Sequence, residues 1–205
     1  MRLVHPLIAI LGISAPALAQ DGPSFECANA GSEAETLICS DADLARLDRR
    51  LADRFGAALS VVQGLDAGAA DAEAELRAKQ RGWISGRDDC WKAEDLRACV
   101  SDAYLRREGE LVATWRLEEP AETVFWTCGG TPANEVVTLF FDTELPSVRF
   151  ERGDTIDAGT LSRTASGARY DGSFGRFIWI KGDEAKYREP DPDGTEYTCT
   201  VAARR

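Results

Sequence analysis

Two short stretches in the C-terminal half hold side chains that could act on another molecule. Ser166 is followed by Gly167, and Lys181 is followed by Gly182. A serine hydroxyl can donate to a carboxylate, and a lysine ammonium stabilises the ionised form of a nearby carboxylic acid and lowers its pKa. Both stretches are also typical of hairpin turns, because glycine permits positive φ and serine and lysine are common at exposed turns. Residue type alone favours ordinary turns over a functional site.

The only histidine, His5, lies in a segment typical of an export signal. Arg2 supplies a positive charge, residues 7–13 form a short apolar run, and residues 17–19 (Ala-Leu-Ala) are typical of a cleavage site. Cleavage after residue 19 leaves no histidine, which excludes a Ser-His-Asp triad, a Cys-His pair and a His-ligated metal site. No cysteine for lipid attachment lies at this junction. We therefore expect a periplasmic, non-catalytic protein with no cofactor, no metal and no membrane anchor.

The cleaved chain is strongly acidic. It keeps 23 basic residues against 35 acidic ones, which gives a net charge of −12. Such a chain repels nucleic acid and anionic lipid and attracts a cationic partner. The same charge also serves solubility. Charge therefore excludes nucleic acid as a partner but does not identify the partner.

Residues 32–111 are rich in Ala, Leu, Arg and Glu and contain no proline, which predicts a helical hairpin. Ser32 with Glu35 predicts a capping box for a short helix, and Ser40 with Asp43 predicts the next helix start. The outgoing helix has its apolar face at Leu44, Leu47, Leu51, Phe55 and Leu59. A turn follows at residues 63–68. The residues that lie on one face of the return helix are Leu76, Gln80, Trp83, Arg87 and Cys90.

Residues 122–202 are rich in β-branched and aromatic residues, with frequent turn residues between short apolar runs. We predict strands at residues 123–128, 135–141, 147–151, 155–161, 168–170, 176–181, 185–188 and 196–201. Many short strands separated by turns favour an antiparallel β-barrel or sandwich. The segment 113–121 is a plausible linker between the two halves.

Six cysteines remain after cleavage, and an even number in an exported chain predicts three disulfides. They are Cys27, Cys39, Cys90, Cys99, Cys128 and Cys199. Cys128 and Cys199 lie on the first and last predicted strands, so a bond between them would close the sheet. Nested pairing of the other four, Cys39 with Cys90 and Cys27 with Cys99, is slightly favoured if the long helices are antiparallel. Local pairing, Cys27 with Cys39 and Cys90 with Cys99, remains open.

The N-terminal half resembles the LprI-type lysozyme-inhibitor domain over roughly residues 24–112. The resemblance is carried by Cys27-Ala28, Glu35 to Cys39, residues 44–48 (Leu-Ala-Arg-Leu-Asp), Gln80 with Trp83, residues 87–90 (Arg-Asp-Asp-Cys), Cys99, Tyr104, Arg107 and Leu111. The family name implies lysozyme inhibition. Trp83 and Arg87 fit packing and capping roles better than contacts with a partner.

The C-terminal half resembles the MliC family of c-type lysozyme inhibitors over roughly residues 122–202. The ordered signature is Cys128, Ser166-Gly167-x-x-Tyr170, residues 181–185 (Lys-Gly-Asp-Glu-Ala) and Tyr197-Thr198-Cys199. The resemblance implies an eight-stranded antiparallel barrel whose serine and lysine meet the two catalytic carboxylates in the lysozyme cleft. Those roles correspond to Ser166 and Lys181. The expected lysozyme-binding residues also include Gly167 and Tyr170, which would shape the first loop, and Gly182.

The sequence thus predicts a two-domain α+β protein, with a disulfide-stapled helical hairpin before an eight-stranded barrel. The expected boundaries are a signal peptide at 1–19, an LprI-like domain at 20–112, a linker at 113–121 and an MliC-like domain at 122–205. The expected partner is c-type lysozyme, a cationic glycan hydrolase. One alternative is a cell-envelope binding module with another ligand. A carboxylate-only glycan hydrolase is a further alternative, because acidic residues are plentiful.

Overall fold

A helical region followed by a barrel makes up residues 22–202, the part of the chain that the computed structural model describes. The helices are α1 (Glu33–Ser40), α2 (Ala42–Gln63), α3 (Ala69–Asp88) and α4 (Leu96–Trp115). Single 3-10 turns lie at Cys27–Asn29 and Asp89–Lys92. The export signal expected at residues 1–19 lies outside the described residues. Within residues 22–202, none of the helices has the length and apolar character needed to cross a membrane.

Eight strands form a closed antiparallel barrel in chain order, with β8 pairing back to β1. They are β1 (Glu122–Cys128), β2 (Glu135–Phe141), β3 (Ser147–Arg152), β4 (Thr155–Ser162), β5 (Ala168–Asp171), β6 (Phe177–Lys181), β7 (Glu184–Arg188) and β8 (Glu196–Val201). Each predicted strand is present, with bounds that differ by one residue at most. The barrel therefore confirms the predicted fold class, and it decides between barrel and sandwich.

Side-chain caps set the first two helix starts. Ser32 accepts a hydrogen bond from the Glu35 amide at 3.1 Å, and the Glu35 carboxylate accepts one from the Gly31 amide at 2.8 Å. The second start differs from the expected one, because Asp41 accepts from the amides of Asp43 and Leu44 and so caps α2. The Ser40 hydroxyl instead donates to carbonyl oxygens in the last turn of α1. An ionised carboxylate is a stronger acceptor for amide groups than a hydroxyl, which explains the shift by one residue.

The helices bury an apolar core that encloses one polar network. The Tyr104 hydroxyl donates to the Asp48 carboxylate at 2.7 Å and accepts from the Arg87 guanidinium at 3.0 Å. Burial raises the pKa of Tyr104, despite the neighbouring arginine. Trp83 packs edge-on against the Tyr104 ring and donates to the Ala103 carbonyl at 3.1 Å. Trp83 and Arg87 therefore hold α3 against α4, with Arg87 only 4 % exposed.

Local disulfides staple the helical region, so the nested pairing favoured from the sequence is wrong. Cys27 bonds Cys39, and Cys90 bonds Cys99, with Cα atoms 5.8 and 5.7 Å apart. The nested arrangement required the cysteines to lie in line with the antiparallel helices α2 and α3. Instead, the chain changes direction at the 3-10 turn before α1 and again at the 3-10 turn before α4. Each turn brings together cysteines that are only 12 or 9 residues apart.

Helix α4 packs directly on the outside of the barrel. Val112 and Ala113 of α4 are fully buried and share an apolar cluster with Leu139 and Phe141 of β2. Helix α4 extends to Trp115, which carries helical structure into the segment 113–121. The helical region and the barrel are therefore joined by a buried apolar contact as well as by the chain.

Gly109 allows this close approach of helix and sheet. A Cβ atom at Gly109 would lie 2.9 Å from the Ser147 Cβ and 3.0 Å from the Thr160 Cγ2. Ion pairs surround the contact. Arg50 of α2 reaches Glu108 at 2.7 Å and Glu144, in the loop between β2 and β3, at 2.8 Å. The interface therefore combines a tight apolar centre with a charged border.

Candidate functional site

The loops that carry Ser166 and Lys181 lie at the same end of the barrel, which we call the loop rim. The rim is formed by the β2–β3 loop (residues 142–146), the β4–β5 loop (residues 163–167) and the β6–β7 turn (residues 182–183). Strands β5 and β6 are paired neighbours, with Ala168 opposite Ile180. Ser166 and Lys181 are both exposed. The topology therefore brings together two residues that are 15 positions apart in the sequence.

Gly167 places the β4–β5 loop against the end of β6. Its φ of 73° lies in the left-handed region, and a Cβ there would lie 2.3 Å from the Ile180 carbonyl oxygen and 2.9 Å from the Lys181 Cγ. No residue larger than glycine fits without moving one of the two strands. The backbone next to Ser166 is thus in direct contact with the Lys181 side chain.

Trp179 connects the two loops, and the sequence interpretation missed this role. Its indole Nε1 donates to the Ser166 carbonyl at 2.9 Å. The Lys181 Nζ lies 4.1 Å from the centroid of the Trp179 ring, within the range of a cation–π contact. Because alternate residues of a strand face the same side, Trp179 and Lys181 share the outer face of β6. That spacing was the available signal in the sequence.

Local hydrogen bonds and turn geometry hold both loops in shape. The Thr164 hydroxyl lies within hydrogen-bond distance of the carbonyl oxygens of Ser166 and Gly167, at 3.2 and 3.0 Å. In the second loop, Lys181 pairs with Glu184 across a two-residue turn. The first turn residue, Gly182, has φ of 63°, as type II′ hairpin turns require. Both loops therefore have local contacts that favour these main-chain conformations without a partner.

Tyr170 lies below the rim, in a cavity of about 1110 Å³ that includes rim residues in its walls. Its ring packs against Phe140 with 5.2 Å between centroids. Burial raises the pKa of Tyr170, and the carboxylates of Asp142 and Glu122 add to the effect. Gly182 and Asp183 of the second loop also line this cavity. Tyr170 thus belongs to the interior wall beneath the loops, whereas Ser166, Gly167 and Lys181 form the exposed cluster.

The disulfide between Cys128 and Cys199 closes the barrel at its seam. The two residues are directly opposite each other on β1 and β8, fully buried, with Cα atoms 4.0 Å apart. No group of histidine, cysteine, aspartate and glutamate side chains suited to a metal ion occurs between residues 22 and 202. The exposed cluster at the rim therefore presents the Lys181 ammonium and the Ser166 hydroxyl close together.

Comparison with known proteins finds a similarity to a described family in each half of the chain. Residues 27–98 match the family model described as lysozyme inhibitor LprI, and residues 126–196 match the one described as membrane-bound lysozyme-inhibitor of c-type lysozyme, MliC. The chain is also 27% identical over 183 residues to the proteins named Lipoprotein LprI of Mycobacterium bovis and Mycobacterium tuberculosis. That alignment covers 88% of this chain and 85% of those proteins. The chain is therefore similar to the LprI family over residues 27–98 and to the MliC family over residues 126–196.

Proposed function

We propose that this protein inhibits c-type lysozyme by inserting Ser166 and Lys181 into the active-site cleft of the enzyme. The observation that carries the proposal is the convergence of the two exposed residues at the loop rim, where Gly167 and Trp179 hold them together. The two matched families, both described as lysozyme inhibitors, support the same partner.

The chemistry of the target explains why these two side chains inhibit it. A glycan hydrolase of this kind needs one protonated carboxylic acid and one ionised carboxylate. The Lys181 ammonium, placed beside the acid, favours its ionised form and lowers its pKa. The acid then no longer protonates the leaving oxygen of the glycan. The Ser166 hydroxyl donates to the second carboxylate, and the two loops exclude the glycan from the cleft.

Long-range charge favours the encounter. The cleaved chain carries a net charge of −12, and c-type lysozyme is cationic. Opposite net charges steer two proteins together and raise the association rate, an effect that salt weakens. Net charge therefore raises the association rate, whereas the contacts of the two loops set the dissociation rate.

We further propose the cellular setting and the division of the chain. Residues 1–19 direct export to the periplasm, and the released protein acts there as a non-catalytic inhibitor. Residues 122–205 form the inhibitory barrel, residues 20–112 form the LprI-type region, and residues 113–121 connect them.

A lysis assay tests the proposal directly. Purified mature protein is mixed with c-type lysozyme, and the clearing of a cell-wall suspension is followed by turbidity. We expect dose-dependent loss of lysis that approaches completion at a small molar excess of inhibitor. The variant with both Ser166→Ala and Lys181→Ala serves as the matched control and should leave lysis largely intact. Unchanged lysis with the unmodified protein would reject the proposed function.

A further inference from the structure

The orientation of the helical region brings one end of it past the loop rim. Gly109 of α4 lies against Ser147 and Thr160, which are next to the loop rim. Five residues later, the Thr114 carbonyl accepts a hydrogen bond from Arg149 at 2.5 Å. Five residues of a helix and two residues of a strand each span about 7 Å along the axis of their element. Helix α4 therefore runs roughly parallel to β3, from the rim towards the opposite end of the barrel.

The first half of α4 consequently extends beyond the rim. Cys99 precedes Gly109 by ten residues, which corresponds to about 15 Å along the helix axis. Helix α2 runs in the same direction, because Asp48 contacts Tyr104 of α4 and Arg50 contacts Glu108 further along both helices. Its Arg50 contacts Glu144 of the rim, and its first residue, Ala42, is eight positions earlier, or about 12 Å further out.

This projecting end of the helical region is what we call the helical tip. It comprises α1 and the segment from Asp89 to Cys99. The disulfides Cys27–Cys39 and Cys90–Cys99 both lie there and fix its shape. The tip projects from the side of the barrel where α4 packs on β3 and β4, and the β4–β5 loop begins where β4 ends. A protein bound to Ser166 therefore lies beside the tip.

Trp91 gives the tip the chemistry of a protein contact. Its side chain is 58 % exposed, although it lies on a single 3-10 turn that the Cys90–Cys99 disulfide ties down. Asp89 and Glu94, both exposed, flank it, and the Lys92 ammonium lies 5.4 Å from its ring centroid and pairs with Asp89 at 2.7 Å. Tryptophan is enriched among residues that dominate binding energy at protein interfaces, and its ring attracts arginine and lysine side chains. Asp95 is exposed as well, so three carboxylates against the one Lys92 ammonium make the surroundings of Trp91 acidic, which fits a cationic protein surface.

We propose that the helical tip, through Trp91, forms a second contact with the same c-type lysozyme molecule that the loop rim holds. This inference rests on the proposed function, since it assigns the LprI-type region to the partner of the barrel. The helical region then supplies a second contact surface beside the rim. This surface enlarges the interface with lysozyme and slows dissociation of the complex.

The test compares single variants of the full chain on surface-bound c-type lysozyme, with both rate constants measured. Trp91→Ala should weaken binding about tenfold or more, mainly through faster dissociation. The matched control is Phe174→Ala. Phe174 is 78 % exposed in the β5–β6 connection, at the end of the barrel away from the rim, so its removal should leave both rates unchanged. Intact mass and thermal melting should show that both variants keep three disulfides and the wild-type fold.

A third variant separates this inference from the proposed function. If Lys181→Ala weakens binding whereas Trp91→Ala matches the unmodified protein, the tip is not a contact and only the inference fails. Equal losses for Trp91→Ala and Phe174→Ala would also overturn it, because they indicate a general effect of lost apolar surface. If the unmodified protein does not bind c-type lysozyme, the proposed function fails and the inference falls with it.

Discussion

Lys181 and Ser166 are the residues on which the proposed inhibition depends. We expect Lys181→Ala to weaken lysozyme binding by about 2–5 kcal/mol, the range for truncating one member of a desolvated charge pair. Ser166→Ala should cost about 1.5–3 kcal/mol, because it removes a donor to a charged acceptor. The control is Lys186→Ala, which alters an exposed lysine two strand pairs further from the same turn and should cost under about 1 kcal/mol. Small and equal losses for both lysines would mean that general electrostatics carries the binding.

Trp179 is expected to act as a positioning residue for those two side chains. Trp179→Phe keeps an aromatic ring beside Lys181 but loses the hydrogen bond to the Ser166 carbonyl, which is worth about 1 kcal/mol. Trp179→Ala loses both supports and should weaken lysozyme binding further than Trp179→Phe does. Titration calorimetry with lysozyme measures the affinity of each variant and shows which binds more weakly. Equal lysozyme affinity for Trp179→Ala and the unmodified protein would show that Trp179 does not position Ser166 and Lys181 for binding.

At the scale of elements, the packing of α4 on the barrel depends on Gly109. Alanine is the better helix former by about 1 kcal/mol, yet its Cβ at this position would overlap Ser147 and Thr160. Overpacking of this kind costs about 1–3 kcal/mol, so we expect Gly109→Ala to lower the free energy of unfolding. Urea denaturation measures the change.

Gly82 provides the matched control for this prediction. It lies in α3, and a Cβ there would meet nothing within 4 Å. Gly82→Ala should therefore raise the free energy of unfolding by about 0.5–1 kcal/mol. If the two substitutions change stability in the same direction, the contact at Gly109 does not limit how closely α4 approaches the barrel.

For the whole molecule, the Cys128–Cys199 bond joins positions 71 residues apart and closes the barrel. Cross-linking so long a loop stabilises a fold by about 4–5 kcal/mol in the chain-entropy model. The variant with Cys128→Ala and Cys199→Ala should lose about 2–5 kcal/mol of unfolding free energy in urea. Intact mass should be about six protons below the fully reduced value for the unmodified protein and about four for the variant, because each disulfide removes two hydrogens. A variant as stable as the parent would show that the strand pairing alone holds the seam.

Much of this protein follows from local sequence signals. The strands are short runs with β-branched and aromatic residues between turn glycines, and their bounds were predictable to within one residue. Leu44, Leu47 and Leu51 recur at helical spacing and are buried as predicted. Such features depend on neighbours close in sequence, so a local pattern is enough to predict them. Ser166, Gly167, Lys181 and Gly182 were singled out by resemblance to a known family rather than by a local pattern, and their role in binding stays a prediction.

The tertiary structure decided what depends on residues distant in sequence. Disulfide partners in the helical region follow from how the chain turns beside each long helix, which cysteine spacing does not encode. The role of Trp179 follows from the pairing of β5 with β6, which brings the Ser166 carbonyl to its indole. The packing of α4 on the barrel follows from complementary shape at Gly109. Each of these contacts forms only when separate elements meet, so a pattern within any one element cannot specify it.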